Sequence, residues 1–273
     1  MRLALVITTH ERPEALAAVL DSVARQRVAP AQIIIADDGS GAATKEVMAA
    51  FAARSAVPVR QVSQPHEGFR VARLRNLGIA AAAADYIVCI DGDMLLHPEF
   101  IADHQRLARP GYYTQGVRVH TDAELTKTLI AAPAALPSFR AAGVGGLRRF
   151  YLLHSPWLSM LARVPGNAVI AIKSCNQGYW VRDLVRVNGF NEAFQGWGPE
   201  DKELCARLDN SGVRRQTLMF GGIACHLHHA QASRAALPAN LALLAETRRQ
   251  RRVRCEHGLD AHLRSRAQDA QNQ

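Results

Sequence analysis

No run of apolar residues in the sequence approaches the ~18 that a membrane-spanning helix needs. No cysteine pair is spaced C-x-x-C, and the five cysteines (Cys89, Cys175, Cys205, Cys225, Cys255) are odd in number and scattered. That pattern argues against both a zinc knuckle and a disulfide framework and fits reduced thiols. No internal repeat or low-complexity linker divides the chain. The N-terminal run Met1–Ile7 is apolar but reaches Thr8-Thr9-His10-Glu11 too soon for a secretory signal. It reads as a buried first strand, and the chain as cytoplasmic.

What is present is ordinary for a globular α/β protein. The 273 residues, 48% hydrophobic and 21% charged, suffice for one large domain or two fused lobes. The formal charge of +9 calls for an anionic partner: nucleic acid, acidic lipid or acidic glycan. Much of the excess lies in Arg248, Arg249, Arg251, Arg252 and Arg254, with Arg264 and Arg266 beyond.

Short apolar runs alternate with helical spacings through the first half, the pattern of βαβ units on a mostly parallel sheet. Strands are expected at Leu3–Thr8, Gln32–Ala36, Val59–Val62 and Tyr86–Ile90, and helices from Pro13 and over Ala72–Ala84. Residues 120–165, broken by Pro133, Pro137, Gly143, Gly145, Gly146 and Pro156, read as loops and short helices. Order returns with Gly178-Tyr179-Trp180-Val181, and a helix from Pro199 to about Asn210, a strand near Arg215–Phe220 and a terminal helix over Ala239–Val253 follow. That last helix carries Leu241 and Leu244 on one face, and Ser265–Gln273 reads as frayed. The expected divisions are 1–120; 121–165, a variable region; 166–232; and 233–273, a basic helix and tail.

Ligands of such sheets bind beyond the carboxyl ends of the strands. Thr8–Glu11, Asp37-Asp38-Gly39-Ser40 and Asp91-Gly92-Asp93 all fall there. Two carboxylates flanking a glycine at a strand end can hold a hard divalent cation, although D-G-D is also a common turn. Asp38 can accept from a nucleobase imide or ribose hydroxyls while Ser40 or Gly41 caps a helix. Gly196-Trp197-Gly198-Pro199-Glu200-Asp201 opens a helix as capping energetics prefer. Yet an indole between glycines also suits a sugar face, and an adjacent carboxylate suits a general base. In Cys225-His226-Leu227-His228-His229, after a strand, one histidine can complete a carboxylate metal site. Arg75, like Arg70 and Arg73, can meet a diphosphate or form a solvated basic face.

Thr8-Thr9-His10-Glu11-Arg12-Pro13, Asp37-Asp38-Gly39-Ser40, Arg75-Asn76-Leu77-Gly78-Ile79 and Asp91-Gly92-Asp93, in that order, resemble the inverting family-2 glycosyltransferases of GT-A fold. Asn188-Gly189-Phe190-Asn191-Glu192 with Gly196–Asp201, and His66-Glu67-Gly68-Phe69-Arg70, resemble galactosyltransferases and chondroitin-polymerase domains. The resemblance implies a Rossmann-like nucleotide-sugar half fused to an acceptor-binding half, Mn2+ or Mg2+ as cofactor, a UDP-sugar donor and a glycan or lipid-linked acceptor. It implies that Thr9 and Glu11 line the nucleotide pocket, Asp38 contacts uridine, and Asp91 and Asp93 form the D-x-D metal motif, Asp93 binding directly. It implies Asp201 as general base with Glu200 as its acceptor-sensing neighbour. His226 is expected as third metal ligand ahead of His229, and Trp197 against the sugar. Lys202 stands where the galactosyltransferase pattern has an acid.

Other classes fit less well. A sugar nucleotidyltransferase would carry a glycine-rich basic loop after its first strand, where this chain has Thr-Thr-His-Glu-Arg-Pro. A nucleic-acid binder would interleave aromatics with its basic residues, and the arginine cluster has none. A glycan-binding protein without catalysis has no use for Asp93 and Asp201. The basic helix, with Arg148–Leu153 and Trp157-Leu158 as an apolar foot, can rest on an anionic membrane.

Overall fold

A computed structural model describes residues 1–132, 136–162, 172–230 and 233–271. The expected break at Pro133 lies outside the described residues. The chain begins β1 (Leu3–Thr9), α1 (Pro13–Ala24), β2 (Gln32–Asp37), α2 (Ala42–Arg54), β3 (Val59–Ser63), α3 (Val71–Ala81) and β4 (Tyr86–Asp91). It continues with β5 (Met94–Leu96), α4 (Phe100–Leu107), β6 (Tyr112–Gly116), β7 (Arg118–His120) and α5 (Ala123–Ala131). A 3-10 turn (Gly146–Leu152) and α6 (Pro156–Leu161) lead to β8 (Asn176–Trp180), α7 (Val181–Val187), α8 (Glu200–Asn210), β9 (Arg214–Leu218), β10 (Ala224–His226), α9 (Leu237–Arg249) and α10 (Leu259–Gln271).

Seven strands form one sheet in the order β3-β2-β1-β4-β8-β6-β9. Only β8 runs against its neighbours β4 and β6; the β1–β2, β1–β4, β2–β3 and β6–β9 pairs are parallel. Every residue of β1 is buried, as expected of a parallel strand covered on both faces. Strands on both sides of residue 166 share this sheet, so the two halves meet in one hydrogen-bonded layer. Helix α3 lies close on it: a Cβ at Gly78 would stand 2.6 Å from Val6 Cγ1, which explains a glycine inside a helix despite its helix-propensity cost.

Three-residue strands make a second sheet, β5-β10-β7. Its register sets His226 against Met94 on one side and His120 on the other. The histidine cluster thus begins inside a strand rather than after one. Helices α2 and α4 have no counterpart in the sequence reading. Helix α2, AATKEVMAAFAAR, buries only Thr44, Met48 and Phe51, too narrow a stripe to announce itself.

The C-terminal reading needs correction. Helix α9 ends at Arg249, with Leu244 buried and Leu241 exposed. Residues 265–271 are helical rather than frayed. Leu259 is buried in α10, His262 Nε2 lies 2.7 Å from Glu192 Oε1, and Arg266 donates to the Ala80 and Ala82 carbonyls at the end of α3 (2.6 and 3.1 Å). Arg254 donates to the Val185 and Arg186 carbonyls, and Arg249 pairs with Glu246. Arg254 and Arg266 therefore tie the C-terminal segment to the rest of the fold, whereas the Arg249 pair lies within its own helix. All five cysteines are free and buried.

Candidate active site

The carboxyl ends of four parallel strands are level: Thr8 pairs with Asp91, Thr9 with Asp37 and Asp37 with Ser63. After β1 the chain turns through Glu11, whose φ of 45° is left-handed. The Glu11 N–H donates to Ser40 Oγ (2.9 Å), and its carboxylate accepts from the Gly41 N–H (2.6 Å). Gly41 is the cap residue of α2, and Glu11, not Ser40, supplies the carboxylate there. Thr9 is buried and its carbonyl accepts from the Asp38 N–H. Asp38 is buried too; Gln64 Nε2 donates to its Oδ1 (2.6 Å), and His66 Nδ1 lies 2.9 Å from its Oδ2.

The two aspartates of the D-x-D turn diverge. Asp91 Oδ1 accepts from Thr8 Oγ1 (3.0 Å) and Arg75 Nη2 (2.9 Å). Asp93 faces the other way, with Arg12 Nη1 at 2.8 Å, His229 Nε2 at 3.2 Å and His226 Nε2 at 3.7 Å. A Cβ on Gly92 would stand 3.0–3.1 Å from Thr8 O and Thr9 Oγ1, so a side chain there would crowd the end of β1. The Leu227 N–H donates to the Asp93 carbonyl (2.9 Å), fastening β10 beside the turn.

Asp93, His226 and His229 each offer one ligand atom within 4.8 Å of the others. Asp93 Oδ1 and His226 Nδ1 are buried without a hydrogen-bond partner, a cost that a cation on the carboxylate would remove for the oxygen. Burial pushes the Asp93 carboxyl up, but its bond to His229 and the charges of His226, His229 and Arg12 prevail and hold it below the ordinary value. Burial pushes the His226 imidazole down, favouring the neutral ring that binds metal. The ring of His120, 5.0 Å from that of His226, is pushed down to about 4 by burial and then by Arg118. These residues fit a divalent ion. Asp91, the other acid of the D-x-D motif, stands outside the cluster and pairs with Arg75.

Arg75 is the second correction. It is 2% exposed, with Nη1 2.9 Å from Glu200 Oε1, Nη2 on Asp91, and the guanidinium carbon 5.3 Å from the Phe190 ring centroid. Its terminal nitrogens are spent on carboxylates rather than turned toward a diphosphate. The neighbouring Asn76 donates to the carbonyl of Phe190 (2.8 Å) and accepts from its N–H (2.9 Å). Helix α3 thereby fastens the 188–192 turn to the β1–β2 side of the sheet.

At the start of α8, Asp201 accepts from the N–H groups of Lys202 (2.7 Å) and Ser174 (3.1 Å). A helix N-terminus by itself favours an anion at this position. Burial wins instead: the Asp201 carboxyl is raised, with Arg75, Lys173 and the two N–H groups only partly offsetting it. Burial and then the Asp201 charge push Glu200 up to about 7, against the pull of Arg75. The two acids titrate as a pair, one of them above the usual carboxylate range. Trp197 is half-buried under the Arg234 guanidinium, 5.0 Å from its ring centroid, and Asn240 Nδ2 donates to its carbonyl (3.2 Å).

The family description Glycosyl transferase family 2 matches residues 4–168. The chain belongs to that family. A second description, N-terminal domain of galactosyltransferase, matches residues 169–230. Validoxylamine A glucosyltransferase of Streptomyces hygroscopicus subsp. limoneus is 29% identical over 77% of this chain and 48% of its own length. Chondroitin synthase of Escherichia coli is 27% identical over 82% of this chain and 34% of its own. The chain thus spans about half the length of the first of these family-2 relatives and a third of the other. Among solved structures, S. aureus TarS in complex with UDP superposes with a TM-score of 0.63 at 13% identity, covering 96% of this chain and 68% of that one. The mannosyltransferase PcManGT of Pyrobaculum calidifontis, in complex with GDP-Man and Mn2+, gives 0.58 at 15%, covering 84% and 58%. The fold is GT-A, mixed α/β with a large, mostly parallel sheet.

The sequence reading missed several residues of the site. Arg12, on Asp93, lay unread inside the Thr8–Pro13 motif. His120 carries no local signal, because only β10 brings it to His226. Ser174 and Lys173 reach Asp201 from the turn before β8, a contact across 27 positions for Ser174 that no local pattern encodes.

Proposed function

We propose that this chain transfers a hexose or N-acetylhexosamine from a UDP-sugar to a glycan or lipid-linked acceptor, with inversion at the anomeric carbon. The observation that carries the proposal is the Arg75 bridge. One buried guanidinium holds Asp91 at 2.9 Å and Glu200 at 2.9 Å, which sets the acids of α8 beside the D-x-D turn. Asp201 takes the proton of the acceptor hydroxyl as that oxygen attacks the anomeric carbon, and the bond to the nucleoside diphosphate breaks on the opposite face. Asp93, His226 and His229 would hold the divalent ion, which neutralises charge on the departing diphosphate. Two imidazoles beside one carboxylate favour Mn2+ over Mg2+, since magnesium prefers oxygen ligands and water. Asp38, at the tip of β2, receives the uridine, with Thr9 and Glu11 beside it, and Trp197 lies against the sugar. The choice of UDP rests on the family resemblance.

A panel of nucleotide sugars scored for manganese-dependent thermal stabilisation, followed by transfer assays on the best donor, tests the proposal. A UDP-sugar should stabilise the protein only with Mn2+, and Asp93→Ala should remove the effect. Stabilisation by UDP-sugars that ignores the metal would refute the placement of the ion.

A membrane-bound acceptor is favoured by one observation. Trp157 is 70% exposed, and Phe150, Leu153, Leu158, Met160 and Leu161 are exposed around it. Trp157→Ser with Leu161→Ser is expected to weaken sedimentation with anionic liposomes. Unchanged sedimentation would count against this acceptor.

A further inference from the structure

A second group of metal-ligating side chains stands at the tips of β1, β2 and β3, apart from the Asp93 cluster. His10, Asp38 and His66 each present one ligand atom within 4.8 Å of the others. The imidazoles of His10 and His66 are stacked, with centroids 4.1 Å apart and planes 12° from parallel. His66 Nδ1 lies 2.9 Å from Asp38 Oδ2, and His10 Nδ1 lies 2.9 Å from the Asp38 carbonyl. Both rings are exposed, yet both converge on one buried carboxylate. Two exposed imidazoles gain little by stacking in water, and they repel each other when protonated. An ion shared with Asp38 gives the arrangement a purpose.

The surroundings fix the carboxylate and leave the rings free to adjust. Gln64 Nε2 holds Asp38 Oδ1, and Arg73 Nη1 holds Gln64 Oε1 at 2.8 Å, the supporting hydrogen bonds that orient metal ligands. Gly39, with φ of 71°, lets the His66 segment lie on the β2 turn, since a Cβ there would come within 2.7 Å of the His66 nitrogen. Ligand atoms of a tetrahedral zinc at ~2.0–2.1 Å lie ~3.4 Å apart, between the 2.9 Å of His66 Nδ1 to Asp38 Oδ2 and the 4.8 Å within which all three ligand atoms fall. Two nitrogens and one carboxylate oxygen, with a fourth position open, suit zinc or a similar borderline transition ion better than magnesium or calcium.

We propose that His10, Asp38 and His66 bind a transition-metal ion of the zinc class, separately from the ion at Asp93, and that this ion and the nucleotide exclude each other at Asp38. The metal site stands on the geometry alone; the exclusion rests on the placement of uridine at Asp38.

The test is zinc stoichiometry by equilibrium dialysis of the whole chain, with circular dichroism confirming that each variant is folded. Wild type should hold two zinc ions per chain, His66→Gln one, and His229→Gln one. The buried cysteines do not compete. His10→Gln is the second variant should His66→Gln prove unstable, and should also hold one. A single ion in wild type that disappears in His229→Gln, or two ions retained in both His66→Gln and His10→Gln, overturns the site. Saturating UDP should displace one ion from wild type and none from His66→Gln. Two ions retained with UDP bound would overturn the exclusion while leaving the metal site and the transfer chemistry standing.

Discussion

Replacing Asp201 with asparagine is expected to lower the rate of sugar transfer by roughly 10²- to 10⁴-fold, the range that a positioned general base contributes. Donor affinity should change little, because the residues proposed for the nucleotide lie on β1, β2 and the D-x-D turn. Asparagine keeps the size but only one acceptor oxygen, so either the Ser174 or the Lys202 N–H loses its partner, and a melting curve of the variant separates loss of chemistry from loss of folding. The pH profile adds a second readout. Glu200, at about 7, ionises within the working range, and its anion is the form that grips Arg75. Transfer should therefore rise with pH through about 7, and Glu200→Gln should be slow and lack that inflection. Stability moves the opposite way. A carboxyl raised from 4.5 to about 7 on folding contributes stability that is fully present below 4.5 and lost as pH rises through 7. Thermal unfolding against pH and the rate profile should thus show opposite slopes between those limits. Near-wild-type transfer by Asp201→Asn would remove this residue from the chemistry.

The second large effect is expected at Arg75. Arg75→Met leaves Asp91 and Glu200 without their shared cation in a buried setting. Breaking a buried ion pair from one side costs about 3–5 kcal/mol. The melting temperature should fall on the order of 10 °C, and transfer should fall with it as α8 loses its tie to the D-x-D turn. Arg75→Lys should not restore activity, because one ammonium cannot span two carboxylates as the planar fork does. A melting temperature unchanged in Arg75→Met would show that the bridge does not hold the two halves together.

The sequence made the strand ends legible for a physical reason. Fully buried parallel strands are continuous apolar runs, so Leu3–Thr9, Gln32–Asp37 and Tyr86–Asp91 announce themselves, and the polar groups that follow must lie at the sheet edge. The acids of α8 and the histidine cluster could be named because their residue types are uncommon in such runs. Their partners could not. Arg75 reads as one more cation on a basic helix, and only the packing of α3 against 188–192 turns it inward. The split between Asp91 and Asp93 depends on the Gly92 turn and on β10, a three-residue strand too short to show a period. The upward shift of Asp201 is likewise a burial effect, and burial at a helix start is not written in the helix sequence.

Anomalous diffraction at the manganese edge, from crystals grown with Mn2+ and UDP, measures the central claim most directly. The account predicts a manganese peak within bonding distance of an Asp93 oxygen and of a His226 or His229 nitrogen, with the diphosphate on its open side and Asp201 facing the sugar position. Manganese bound elsewhere, with Asp93 still paired to Arg12 and the diphosphate far from the D-x-D turn, would contradict it.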